Sequence, residues 1–99
     1  MTPGCVFERA FRMHPKDPTP RLLYGLFFHR MGNLKRALDQ YQIAAKLRPN
    51  WAEAHYNIGL IYLRQKNYAA ARKHAKRAYA LGYPLPALRN KLKKAGHWP

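Results

Sequence analysis

Residues 52–84 read AEAHYNIGLIYLRQKNYAAARKHAKRAYALGYP, and residues 18–51 carry the same pattern one unit earlier. A shift of 34 positions superposes Leu26 on Leu60, Arg30 on Arg64, Asn33 on Asn67, Ala37 on Ala71, Ala44 on Ala78 and Leu47 on Leu81 without a gap. Gly25 falls on Gly59 and Phe28 on Tyr62, while Pro15 falls on Pro49, Phe7 on Tyr41, Ala10 on Ala44 and Met13 on Leu47. So many pairs at one spacing mark an internal repeat, a unit that buries its apolar face only by stacking on neighbours.

Within each unit the periodicity is helical. Leu22, Leu23, Leu26, Phe27 and Phe28 recur at three-to-four spacing, as do Ile58, Ile61 and Tyr62. Thr19 before Pro20 reads as an N-cap followed by a proline in the first turn, where no amide donor is missed. Gly32-Asn33 and Lys66-Asn67 close one helix and open the next, and Pro49 and Pro84 sit just past helix ends. These signals predict helices over 5–13, 20–31, 34–47, 52–65, 68–81 and 86–95.

On these residues the chain resembles the tetratricopeptide repeat (TPR) family. That pattern has a glycine in the first helix, an aromatic three residues on, paired alanines in the second helix and a closing proline. Residues 52–84 carry it closely, and residues 18–51 carry it with Leu22, Leu23, Tyr24, Gly25, Ala37, Tyr41, Ala44 and Pro49. The resemblance implies an all-α solenoid of about six helices in antiparallel pairs, coiled into a right-handed superhelical array. The expected organisation is a single domain over 1–99: a half repeat at 5–17, full repeats at 18–51 and 52–84, and a C-terminal capping helix within 85–97. Gly25 and Gly59 would let paired helices approach, and Phe28, Tyr41 and Tyr62 would fill the space between units. Two departures stand out. Arg21 and His55 replace the large aromatic usual near the start of the first helix, and Tyr83 replaces the closing proline, with Pro84 one residue late. Looser packing is expected at that edge.

Length and composition bound the rest. Ninety-nine residues suit one domain, and nearly half are apolar, so the chain folds. No stretch approaches eighteen apolar residues, and the start lacks the layout of a secretion signal. The single cysteine, Cys5, forms no internal disulfide, so no oxidising compartment is needed and a cytoplasmic location is the default. Charge is the unusual feature: nine basic residues face Glu8, Asp17, Asp39 and Glu53 over residues 1–53, whereas ten basic residues and no acid follow from Ala54. Such asymmetry speaks of partners and solubility, not of fold.

The residue inventory argues against an enzyme. There is no serine, the four acids are scattered, and His14, His29, His55, His74 and His97 show no metal-site spacing. No phosphate-binding glycine loop is present, so neither a catalytic residue, a metal nor a cofactor is expected.

The expected function is therefore that of a protein-interaction adaptor. In TPR proteins the first helices of successive repeats line a concave groove for a peptide or helix of the partner. Carried over, the groove residues are Leu22, Leu26, His29 and Arg30, then Tyr56, Asn57, Leu60, Leu63 and Arg64, with Asn90, Lys91 and Lys94 from the capping helix. This apolar strip with a cationic end suits a partner with apolar anchors and acidic residues. The plainer reading is that the leucines merely pack on neighbouring helices. The carboxylate clamp of chaperone-binding repeats is broken, because Leu22 and Leu26 stand where its first Lys and Asn belong, although Asn57 and Lys91 match later elements. A second reading uses a basic convex face, Lys35, Arg36, Lys46, Arg72, Lys73, Lys76 and Arg77, to attract nucleic acid or another polyanion. Finally, an apolar flank around Val6, Phe7 and Phe11 of the half repeat is expected to dimerise or to be covered by a partner.

Overall fold

The computed structural model describes residues 3–99, with side chains from Cys5 onward. Among the described residues there are six α-helices and no strand: α1 (Pro3–Met13), α2 (Pro18–Arg30), α3 (Leu34–Leu47), α4 (Ala52–Arg64), α5 (Tyr68–Ala80) and α6 (Ala87–Lys94). Every expected helix is present, with bounds within two residues of those read from periodicity. The contacts divide the chain into two compact units, one ending at Pro49 and one beginning at Asn50.

Local chemistry explains where the helices begin and end. α2 starts two residues before the expected position, because Asp17 is its cap: the Asp17 carboxylate accepts the Thr19 amide at 2.9 Å. Asn33 and Asn67, one repeat apart, cap α3 and α5 by accepting from the Arg36 and Ala70 amides. Gly32, Lys66, Gly82 and Gly96 all adopt positive φ just past helix ends. The amides of Asn33, Asn67, Tyr83 and His97 then reach back to the carbonyls of Phe28, Tyr62, Ala78 and Leu92, closing each helix in a Schellman turn.

In the N-terminal unit α2 and α3 form the main helix pair. Gly25 makes room for an aromatic ring: a Cβ there would lie 2.6 Å from the Tyr41 ring. Tyr41, fully buried, thus sits inside its own helix pair and does not merely fill space beyond it. Its hydroxyl lies 3.2 Å from His29 Nδ1. α1 rests on α2 through aromatic contacts, with the Phe7 and Tyr24 rings stacked at 4.6 Å and Phe11 tilted against Tyr24 at 5.8 Å.

In the C-terminal unit α4 and α5 pair, and α6 covers them. A Cβ on Gly59 would meet Leu88 of α6 at 2.6 Å. Leu88 and Leu92 are fully buried with Ala71, Ala75 and Ala78, each leucine contributing about 1.5–3 kcal/mol by leaving water. The Tyr79 hydroxyl fixes the approach to α6: it donates to the Leu85 carbonyl at 2.8 Å and accepts the Arg89 amide at 3.2 Å. The edge expected to be loose is packed, since Tyr83 stacks on Tyr56 at 4.1 Å. Burial, and then the neighbouring tyrosines, pushes both phenols above their ordinary pKa.

Candidate functional site

The helix register of α2 sets out two kinds of surface in the N-terminal unit. Leu22 and Phe28 turn inward and are buried, whereas Leu23 and, just past the helix, Met31 are exposed. Leu23, Leu26, Phe27, Arg30 and Met31 together with Phe7 of α1 line an open pocket of about 530 Å³. Its walls are apolar, and Arg30, exposed at the end of α2, supplies a cation at its margin. Two of the expected groove residues, Leu26 and Arg30, therefore meet in one pocket. Leu22 is withdrawn from any surface, at 3% exposure. His29 is half-buried beside Tyr41. Leu23, Phe27 and Met31 were not read as site residues, because a run of adjacent apolar residues does not say which of them faces outward.

Of the expected α4 residues, Tyr56 and Asn57 are buried and offer little to a ligand. Leu60 and Leu63 are half-buried and pack against the core cluster that α6 closes, which agrees with the plainer packing reading for these two. Arg64, Asn90, Lys91 and Lys94 are exposed. The N-terminal flank is only partly open: Val6 is exposed, but Phe7 stacks on Tyr24 and the Arg21 guanidinium lies 3.5 Å over the Phe11 ring.

The basic residues divide by helix. Lys35, Arg36 and Lys46 are exposed on α3, and Lys73, Lys76 and Arg77 on α5, with Arg72 half-buried. Arg36 leans over the Phe28 ring at 5.7 Å. Arg77 donates to the Asn50 side chain at 2.8 Å.

One constellation was not seen in the sequence. His55 and His74 bring their Nδ1 atoms to 3.3 Å, with the rings stacked at 5.5 Å between centroids. Tyr62 stacks on the same His74 ring at 5.8 Å. The two histidines join Lys73, Lys76 and Arg77 around a second open pocket of about 550 Å³. Burial first, then His55 and Lys73, lowers the His74 pKa to about 4, so its ring is neutral at physiological pH. The pair repeats a contact of the preceding unit, since 34 residues earlier, at the equivalent positions, Arg21 donates to Gln40 at 3.0 Å. Among the described residues no three histidine, cysteine or acidic side chains converge as metal ligands.

Antiparallel helix pairs at a 34-residue period, with glycine under an aromatic or leucine and alanines facing it, define a helical-repeat protein. The chain belongs to the tetratricopeptide repeat family: a TPR repeat model matches residues 25–66 and a tetratricopeptide repeat model matches residues 52–82. It is 30% identical over 95 residues to protein O-mannosyl-transferase TMTC1 of Homo sapiens and 32% identical to that of Mus musculus. Each match covers 90% of this chain and 10% of the relative. Cellulose synthase operon protein C of Pseudomonas fluorescens (strain SBW25) is 37% identical over 71 residues, 71% of this chain and 6% of that protein. The chain thus spans a tenth or less of the length of these curated relatives. Among solved structures YrrB, described as a TPR protein with an unusual peptide-binding site, superposes with a TM-score of 0.82. It shares 24% identity over 92% of this chain and 49% of its own, a likeness of fold. No helix among the described residues is long and apolar enough to cross a membrane.

Proposed function

We propose that this chain is a non-catalytic interaction module that binds a peptide or helix of a protein partner in the apolar pocket of the N-terminal unit. The observation that carries the reading is the pocket itself: exposed Leu23 and Met31 with half-buried Leu26 and Phe27, beside Arg30. Exposed apolar side chains gathered in one concavity gain free energy when covered, at about 25 cal/mol per Å² of apolar surface removed from water. Arg30 at the margin gives direction, favouring a partner segment with a carboxylate next to its apolar anchor. A peptide-binding site is described for the structural neighbour YrrB, which supports this class of partner. The mannosyltransferase relatives match over a tenth of their length, and in this chain that stretch is helical repeat, so an adaptor role needs no transferase chemistry here.

The polyanion reading is the weaker one. On α3 part of the basic face is engaged inside its own unit, with Arg36 over the Phe28 ring.

Peptides selected from a random displayed library, with affinities then measured by fluorescence anisotropy, test the proposal. Selected sequences should carry large apolar residues, and Leu26→Glu should weaken them about 10-fold or more, as expected for a charge set into an apolar contact. Failure to select any sequence, or affinities indifferent to Leu26→Glu, would remove the N-terminal pocket as the site. Concentration-dependent dimerisation abolished by Leu26→Glu would identify a second copy of the chain as its occupant and overturn the peptide reading.

A further inference from the structure

The second pocket differs in chemistry from the first. Its lining carries three cations, Lys73, Lys76 and Arg77, at helical spacing on α5, and no acid. The only acidic residue from Asn50 onward is Glu53, against ten lysines and arginines. Arg77 is oriented by its bond to Asn50. The floor is the imidazole pair His55–His74, and Tyr62, outside the lining, stacks on His74. His55 occupies the position where the repeat pattern carries a larger aromatic, and it lines the pocket beside α5.

We infer that this pocket is a separate binding site for an acidic peptide segment, its carboxylates on Lys73, Lys76 and Arg77 and a neighbouring apolar side chain on the His55–His74 floor. Charge complementarity selects the anion. Three cations spread over little more than one turn of a single helix can neutralise two or three adjacent carboxylates. The floor selects the rest: imidazole rings are amphipathic, and His74, kept neutral by its burial, accepts an aliphatic or aromatic side chain without stranding a buried charge. Single-stranded nucleic acid would need a row of ring faces for successive bases, and this lining presents one histidine pair. The site is independent of the N-terminal pocket and does not rest on the reading of that pocket.

The test uses the full chain, a fluorescein-labelled peptide alternating glutamate with leucine, its glutamine counterpart, and a labelled single-stranded RNA. The glutamate peptide should bind and shift the amide resonances of residues 55 and 73–77. The double substitution Lys73→Glu/Lys76→Glu should weaken it about 10-fold or more, with salt acting in the same direction. Leu26→Glu should leave the peptide-induced shifts of residues 55 and 73–77 unchanged, and this site-specific readout separates the site from the N-terminal pocket. Lys73→Ala/Lys76→Ala, which adds no new charge, should give a smaller loss in the same direction. Equal binding of the glutamine peptide, or an affinity unmoved by both double variants, would overturn the inference. Binding of RNA in place of the peptide, with the same dependence on Lys73 and Lys76, would overturn it in favour of a nucleic-acid site.

Discussion

His55 Nδ1 lies 3.3 Å from His74 Nδ1, so at neutral pH one ring donates its N–H to the lone pair of the other. Protonating both would set two N–H groups against each other. His74 accordingly resists protonation until about pH 4, because of burial first and then His55 and Lys73, whereas in the unfolded chain it protonates near 6.5. The unfolded state therefore takes up a proton between these values that the folded state refuses. Stability is complete above about pH 6.5 and falls as the pH drops toward 4. The ring is only partly buried, so solvent screening reduces the loss to about 1–2 kcal/mol. Urea midpoints at pH 7.5 and 4.5 measure it, and His74→Gln should flatten the difference. A wild-type midpoint that does not move over this range would show that His74 is not held neutral.

The two repeat glycines should respond unequally to alanine. At Gly25 a new methyl would meet the Tyr41 ring at 2.6 Å, and that ring is fully buried and hydrogen-bonded distance from His29. A flat buried ring can only move as a whole, so Gly25→Ala should destabilise by about 1–3 kcal/mol despite the better helix propensity of alanine. At Gly59 the nearest atom is a terminal methyl of Leu88. A rotamer change there, offset by about 1 kcal/mol of propensity, should leave Gly59→Ala the milder of the two. Thermal melts of both variants rank them, and the reverse order would mean that α6 is held more rigidly than the α2–α3 pair.

These glycines also show what could be read from the sequence. The 34-residue register locates α1 to α5, because glycine, alanine and aromatic positions repeat for reasons internal to each helix pair, and Pro86 and Gly96 bound α6. Periodicity could not say which neighbour fills the space above each glycine, Tyr41 in one unit and Leu88 in the other. The family resemblance places Leu22 and Tyr56 in a groove, yet both are buried, because on an amphipathic helix the inward and outward stripes touch and a one-position rotation exchanges them. The histidine pair was missed because it joins residues from two helices, and spacing along one helix cannot register such a meeting.

Lys66 should be a point of easy improvement. It takes φ +61°, in the left-handed region, at the position where the preceding repeat has Gly32 at +80°. A side chain in that region costs about 1 kcal/mol, and the turn it closes is otherwise complete, with the Asn67 amide on the Tyr62 carbonyl at 2.9 Å. Lys66 is exposed, so nothing is lost from the core when its side chain is removed. Lys66→Gly should raise stability by about 0.5–1 kcal/mol, read as a higher denaturant midpoint at unchanged slope. A lower midpoint would mean that the entropy glycine adds to the unfolded chain outweighs the relief of strain.

Arg21 stands where a large aromatic is usual, and it reaches both of its neighbours. Its guanidinium lies 3.5 Å from the centre of the Phe11 ring in α1 and donates to Gln40 of α3 at 3.0 Å. Otherwise α1 is held to α2 by the stacked pair Phe7–Tyr24 and by Phe11 against Tyr24. A cation over an aromatic face contributes about 0.5–2 kcal/mol, and the flat guanidinium also covers the ring from water. Removing it should therefore loosen α1 while the α2–α3 pair, anchored by buried Tyr41, stays intact. Arg21→Ala should speed amide hydrogen exchange over residues 7–13 about 3- to 10-fold, with little change over 36–44. Arg21→Lys should recover only part of the protection, because an ammonium cannot stack and donate in one plane. If exchange rises equally in α1 and α3, Arg21 supports the whole unit and the local anchoring of α1 is refuted.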